Sequence, residues 1–150
     1  MRDYSTAVDG PLVLNVPGQP VPWSRPRAVL VGDYIRFFTS NQVRNYTRMV
    51  TTQIRAAIGI GKAQGIRFPL DCAVSVDLLF TLERPKSASG AYRHFPFKKP
   101  DIDNLAKGVL DSMTDGGFFT DDTRVVDLRA RKRWGDPGVL ITVTEIDQDE

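Results

Sequence analysis

Leu70-Asp71-Cys72-Ala73-Val74-Ser75-Val76-Asp77-Leu78-Leu79-Phe80-Thr81-Leu82 carries a period of two. Cys72, Val74, Val76, Leu78, Phe80 and Leu82 fall on one side, and Ala73, Ser75, Asp77, Leu79 and Thr81 on the other. Successive strand residues point to opposite faces, so this pattern predicts a strand over Leu70–Leu82 with one buried face. The next patterned stretch has a different period. Ile102, Leu105, Ala106, Val109, Leu110 and Met113 recur at helical spacing and predict an amphipathic helix from Asp101 or Asp103 to Met113. Pro100 disfavours helix at Lys99, and Gly116-Gly117 ends the segment. A strand over Arg124–Trp134 follows, with Val126, Leu128 and Ala130 facing one way and Asp127, Arg129, Arg131 and Arg133 the other. Gly135-Asp136-Pro137-Gly138 predicts a tight connection into an antiparallel final strand, Val139–Ile146.

On the N-terminal side, Leu12–Val16 reads as a short strand. Pro17, Pro20, Pro22 and Pro26 forbid a helix between it and Arg27, leaving an extended segment that presents Arg25 and Arg27. Ala28–Val31 and Tyr34–Phe38 flank Gly32-Asp33 as a hairpin. Thr39 and Gln42 fit a capping box, and Val43, Tyr46, Val50, Ile54 and Ala57 form one helical face ending at Gly59 and Gly61. Gly59–Phe68 reads as a loop, and Lys86–Ala91 as a mobile, flap-like one. The order β, β, β, α, β, α, β, β predicts an α+β domain, a mixed, mostly antiparallel sheet with two helices packed on it.

The 150 residues fit one domain with a real core, and 41% hydrophobic and 25% charged residues are ordinary globular values. A formal net charge of +2 permits a polyanionic partner without arguing for one. The charge distribution argues more. Arg25, Arg27, Arg36, Arg44, Arg48 and Arg55 face a single acid, Asp33, between Trp23 and Arg55. Arg84, Lys86, Arg93, Lys98 and Lys99 form an acid-free run, and acids gather between Asp101 and Asp127 and at Glu145–Glu150. A basic surface beside an acidic pocket suits a polyanion together with a cation; the bland alternative is a set of solvated faces. Cys72 stands alone, so no intrachain disulfide forms, and it reads as a small buried hydrophobe. No apolar run is long enough to span a membrane, and Met1–Ser5 shows no leader, so the cytoplasm is the expected compartment.

The chemistry concentrates in Lys98-Lys99-Pro100-Asp101-Ile102-Asp103-Asn104-Leu105-Ala106-Lys107 and in Asp121-Asp122. Two residues apart, Asp101 and Asp103 would diverge on a regular helix. At the junction of an extended segment and a helix start they can serve one ligand. Lys107 lies one turn beyond Asp103, and Asp111 continues that stripe, placed to hold Lys107 in an ion pair. Converging carboxylates coexist most readily around a divalent cation, and oxygen-only donors select Mg2+, with Mn2+ a substitute. The alternative is that the aspartates complement the helix dipole and Lys107 makes a surface pair. A single histidine, His94, excludes a histidine-rich zinc site and offers no triad, and no phosphate-cradling glycine motif is present. Trp23 reads as packing over the core, with base stacking as the alternative.

Three motifs together resemble a known family. Val16-Pro17-Gly18-Gln19-Pro20 with Arg25-Pro26-Arg27, the segment Lys99–Lys107, and Gly117-Phe118-Phe119-Thr120-Asp121-Asp122 with Val125-Val126 are similar to the RusA-type Holliday junction resolvases of bacteria and their phages. The resemblance covers about Leu12 to Ile146 and is most specific in the middle motif. It implies a RusA-like fold and a homodimer that nicks two opposed strands of a four-way DNA junction with Mg2+. It carries the catalytic aspartates onto Asp101, Asp103 and Asp122, also the metal ligands, with Asp121 the less certain neighbour, and the catalytic lysine onto Lys107. Arg25, Arg27, Lys86, Lys98, Lys99, Arg129 and Arg131 are the candidate DNA contacts. The rival reading is a non-catalytic module that binds branched DNA or RNA.

Overall fold

A computed structural model describes residues 10–146; the leader reading at Met1–Ser5 and the acids among residues 147–150 lie outside the described residues. Six strands and two long helices follow the predicted order: β1 (Leu12–Pro17), β2 (Arg27–Val31), β3 (Tyr34–Phe38), α1 (Asn41–Ala63), β4 (Val74–Leu82), α2 (Ile102–Asp115), β5 (Val125–Trp134) and β6 (Gly138–Glu145). Short 3-10 turns occupy Gly90–Arg93 and Asp122–Arg124. Four strands form a mixed sheet in the order β1-β6-β4-β5, and β2 and β3 form a separate two-stranded ribbon. The α+β reading holds.

One face of the sheet is the core. Val74, Val76, Leu78 and Phe80 of β4 pack with Val139, Ile141 and Val143 of β6. Tyr46, Val50, Ile54 and Ile58 of α1 and Leu105, Val109 and Met113 of α2 close over them. Burying such side chains contributes about 1.5–3 kcal/mol each, which is why both helices lie on this face. The opposite face carries the polar half of each alternation, including Asp77, Thr142, Arg129 and Arg131.

The structure corrects five local expectations. Helix α1 does not end at Gly59 and Gly61 but runs to Ala63. Gly61 is buried, and an added Cβ would come within 2.7 Å of the Phe68 ring, so this glycine permits packing rather than termination. Its N-cap is Ser40, whose Oγ accepts from the Val43 N–H at 3.3 Å, rather than Thr39. Strand β4 starts at Val74; Leu70 instead makes an isolated parallel bridge to Phe119, and Cys72 is half-buried outside the strand.

Strand β5 does not hairpin with β6. It pairs in parallel with β4, while β6 lies on the far side of β4, antiparallel to both β4 and β1. The short link therefore crosses the end of β4, where Gly135 donates to the Leu82 carbonyl at 3.0 Å. Extended, four residues reach about 13 Å; two strand spacings need about 9.6 Å. The register of β4 with β5 shifts between Val74 and Ser75, and this moves Val126 out of the apolar row: it is 63% exposed, while Leu128, Ala130, Lys132 and Trp134 stand opposite Val76, Leu78, Phe80 and Leu82.

Candidate active site

The start of α2 is built from both sides. Asp101 is the N-cap residue, with extended backbone at φ −70° and ψ 137°, and its carbonyl accepts the first helical bond from Leu105 at 3.1 Å. Its carboxylate makes no capping hydrogen bond. The capping explanation thus fails for this side chain, which stays exposed beside Asp103 in the first turn. The proline-rich segment lies along the helix: Trp23 donates its N–H to the Asn104 carbonyl at 3.0 Å. Gly108 lies against this segment, where an added Cβ would sit 3.7 Å from the Trp23 nitrogen, an ordinary van der Waals contact. The Gly108 face is covered by the chain's own backbone.

Lys107 is held from two directions. Its ammonium lies 4.9 Å from the centre of the Trp23 ring and 3.5 Å from an Asp111 carboxylate oxygen. The pair is about half exposed, so its net contribution to stability is small; what it fixes is where the charge sits. Trp23, read from the sequence as core packing, covers this lysine.

The turn carrying Asp121 and Asp122 returns to α2, the last requirement the motif spacing left open. Phe118 and Phe119 are buried and anchor it. Leu70 closes it through the Leu70 N–H to the Phe118 carbonyl at 2.9 Å and the Thr120 N–H to the Leu70 carbonyl at 3.0 Å. Asp71 grips its other side, accepting from Arg124 Nε at 2.8 Å and Thr120 Oγ1 at 3.1 Å. Within the turn the two acids divide their work. Asp121 accepts from the Thr123 N–H at 2.8 Å, and that bond holds its carboxyl below the usual range. The Asp122 carboxyl is pushed up, first by its hydrogen bond with Asp121, then by desolvation and by the charges of Asp121 and Asp111, while Lys107 opposes the shift. Asp122 is therefore the acid that shares the electrostatic field of Lys107 and Asp111, and Asp121 is engaged as a cap.

The carboxylates are all-oxygen donors, the right chemistry for Mg2+ or Mn2+. Among the described residues no three His, Cys, Asp or Glu side chains are gathered into a group able to hold a metal. An apolar cleft of about 380 Å3 between β1 and α1, lined by Leu12, Leu14, Ala57, Ile60, Phe68 and Phe118, bears no charged side chain and takes no part in this chemistry.

The chain's residues 17–144 match the family model described as Endodeoxyribonuclease RusA. The chain belongs to the RusA endodeoxyribonuclease family. This is the family its motifs resemble, and membership makes the chain an endodeoxyribonuclease. Over 145 residues it is 28% identical to YqaN, an uncharacterized protein of Bacillus subtilis (strain 168), covering 88% of this chain and 94% of that one. Over 105 residues it is 29% identical to the crossover junction endodeoxyribonuclease RusA of Shigella sonnei (strain Ss046), covering 68% of each chain.

Around this candidate site the candidate DNA contacts separate into two groups. Arg25, Arg27, Lys86, Lys98 and Lys99 are exposed, Arg25 and Arg27 at the end of the proline-rich segment and the start of β2, and the three lysines in the loop between β4 and α2. Lys98 also lies over the Tyr92 ring at 4.4 Å. Arg129 and Arg131 project from the other face of the sheet, and Arg131 is paired with Asp77 at 3.0 Å. Just beyond the expected flap Lys86–Ala91 the loop after β4 is fastened: Trp134 Nε1 donates to the Tyr92 carbonyl at 2.9 Å, and Tyr92 packs edge-on against Trp134 and Phe97. Sequence reasoning missed Lys132, whose ammonium donates to the carbonyls of Lys98 at 3.0 Å and Pro100 at 2.9 Å. The available signal was a lysine in the apolar phase of a strand, between Ala130 and Trp134.

Proposed function

We propose that this RusA-family endodeoxyribonuclease resolves four-way DNA junctions by paired, symmetric nicks, as a homodimer, in the cytoplasm, using a Mg2+ ion that would draw together Asp101, Asp103 and Asp122, whose side chains are not gathered without it. The observation that carries the reading is the meeting of α2 with the Asp121-Asp122 turn, which puts Asp122 in the field of Lys107 and Asp111. Bound there, the cation supplies an activated water and a contact that polarises the phosphate. The residues do the rest. Asp101 and Asp103 offer carboxylates at a helix start, Asp101 unspent on capping. Lys107, steadied by Trp23 and Asp111, places a positive charge for the phosphate oxygens as negative charge develops. Arg25, Arg27, Lys86, Lys98 and Lys99 contact backbone phosphates on the site's side, fixing orientation without reading sequence. Arg129 offers a contact on the opposite sheet face, where Arg131 is already paired with Asp77.

The β2–β3 ribbon supports the homodimer. Leu30, Ile35 and Phe37 share one face and are 72%, 62% and 71% exposed, with none of the described residues covering them. A lone two-stranded ribbon is marginal in water, and a two-fold partner covers such a face with its own copy. Strand β6 is interior to the sheet and unavailable for edge pairing. The reading is tested with Asp103→Asn on a synthetic four-way junction. Retained binding with lost cleavage is expected; normal cleavage overturns the site, and a wild-type chain that binds without cutting in any metal favours the non-catalytic module.

A further inference from the structure

We propose that Lys132 is a positioning residue for the nuclease reaction: its ammonium fastens the segment that delivers Asp101 to the site. The proposal rests on the functional reading above. Lys132 occupies a place in β5 where an apolar residue is expected, standing opposite the fully buried Phe80 and half-buried itself. An ammonium in such a place needs partners. It finds two, the Lys98 carbonyl at 3.0 Å and the Pro100 carbonyl at 2.9 Å. Those carbonyls belong to the peptide bonds on either side of Lys99–Pro100, the second of which leads directly into Asp101, the residue that opens α2.

The consequence is mechanical. The Asp101 carboxylate makes no capping bond that would orient it, so its position follows from its backbone. On the helix side that backbone is fixed by the Leu105–Asp101 bond, and on the approach side by Lys132. Both carbonyls are engaged on the strand side. Lys132 thus links a rigid sheet edge to the first catalytic aspartate without touching the reacting atoms. Residues that orient ligands or catalytic groups from behind typically cost 10–100-fold in activity when removed.

The experiment compares Lys132→Met, Lys132→Arg, Trp134→Phe and Asp101→Asn by junction affinity in EDTA, single-turnover cleavage in Mg2+, and melting temperature. Lys132→Met is expected to lose about 10–100-fold in kcat with junction affinity within twofold of wild type. Lys132→Arg, which keeps donors and charge, regains part of the loss. Trp134→Phe, which removes a neighbouring bond that does not reach Pro100, keeps kcat within a few-fold at whatever melting temperature it shows. Lys132→Met with wild-type kcat overturns the proposal, as does binding lost in step with cleavage, which would make Lys132 a phosphate contact. If Lys132→Met fails to fold, Lys132→Arg decides: lowered kcat at unchanged affinity supports the role, and wild-type kcat or weakened binding overturns it. Asp101→Asn separates the two readings, since normal cleavage there defeats the functional site itself, whereas its loss with a normal Lys132→Met defeats only the positioning role.

Discussion

Asp121 and Asp122 are neighbours in the chain with opposite electrostatic circumstances. The Thr123 N–H stabilises the Asp121 carboxylate, and Asp121 in turn raises the carboxyl of Asp122 by hydrogen bond and charge. A raised carboxyl keeps its proton to higher pH, and a protonated carboxyl is a poor cation ligand. Asp121→Asn removes the Asp121 charge, so the Asp122 titration is expected to move to lower pH and the acid limb of cleavage to follow it. Carboxyl NMR of the metal-free protein checks this, and an unmoved Asp122 resonance would show that Asp121 is not the cause. At this scale much of the candidate site was legible. Asp101, Asp103, Lys107 and the Asp121-Asp122 pair stood out by residue type and spacing, the choice of Asp122 within the pair came from the family resemblance, and the predicted Lys107–Asp111 pair is present. Lys132 and Asp71 were not legible, because each acts on groups tens of residues away that only folding brings near.

Helices α1 and α2 meet closely where α2 ends. A Cβ on Gly116 would lie 2.9 Å from Ile54 Cγ2 and 3.0 Å from the Ser112 carbonyl oxygen. Gly116→Ala is therefore expected to destabilise the fold by about 1–3 kcal/mol, the usual cost of overpacking. A melting curve unchanged from wild type would mean the helices separate freely there. The glycines mark the limit of reading elements from sequence. Gly116-Gly117 ended a helix as expected, whereas Gly61 sits inside α1 because Phe68, outside the helix, needs its space. Likewise Arg124–Trp134 and Val139–Ile146 were recognisable as strands, yet their short link suits a hairpin as well as a step over β4. Only partner choice separates the two, and it depends on which faces β4 has left to cover.

The molecule as a whole presents a core closed by two helices, a candidate site at the start of one of them, and an apolar ribbon that no part of the described chain covers. Leu30→Ser with Phe37→Ser is expected to convert a dimer into a monomer by light scattering, and to replace paired nicks by single, uncoordinated ones. A dimer that persists in that variant while junction binding fails would make the ribbon a DNA contact instead. No helix among the described residues is long and apolar enough to cross a membrane. The fold class was legible because periods of two and of 3.6 dominate its core segments; the role of the ribbon was not, since a hairpin's pattern does not say what packs on it. The proposed role of the start of α2 and the Asp122 turn is a metal-dependent cutting site for branched DNA. It is tested by strand cleavage of a synthetic four-way junction and a matched linear duplex, by wild type and Asp103→Asn, in Mg2+ and in EDTA. Symmetric nicks in opposed strands are expected only for wild type, only on the junction and only with Mg2+. Cleavage that persists in EDTA or in Asp103→Asn would contradict it.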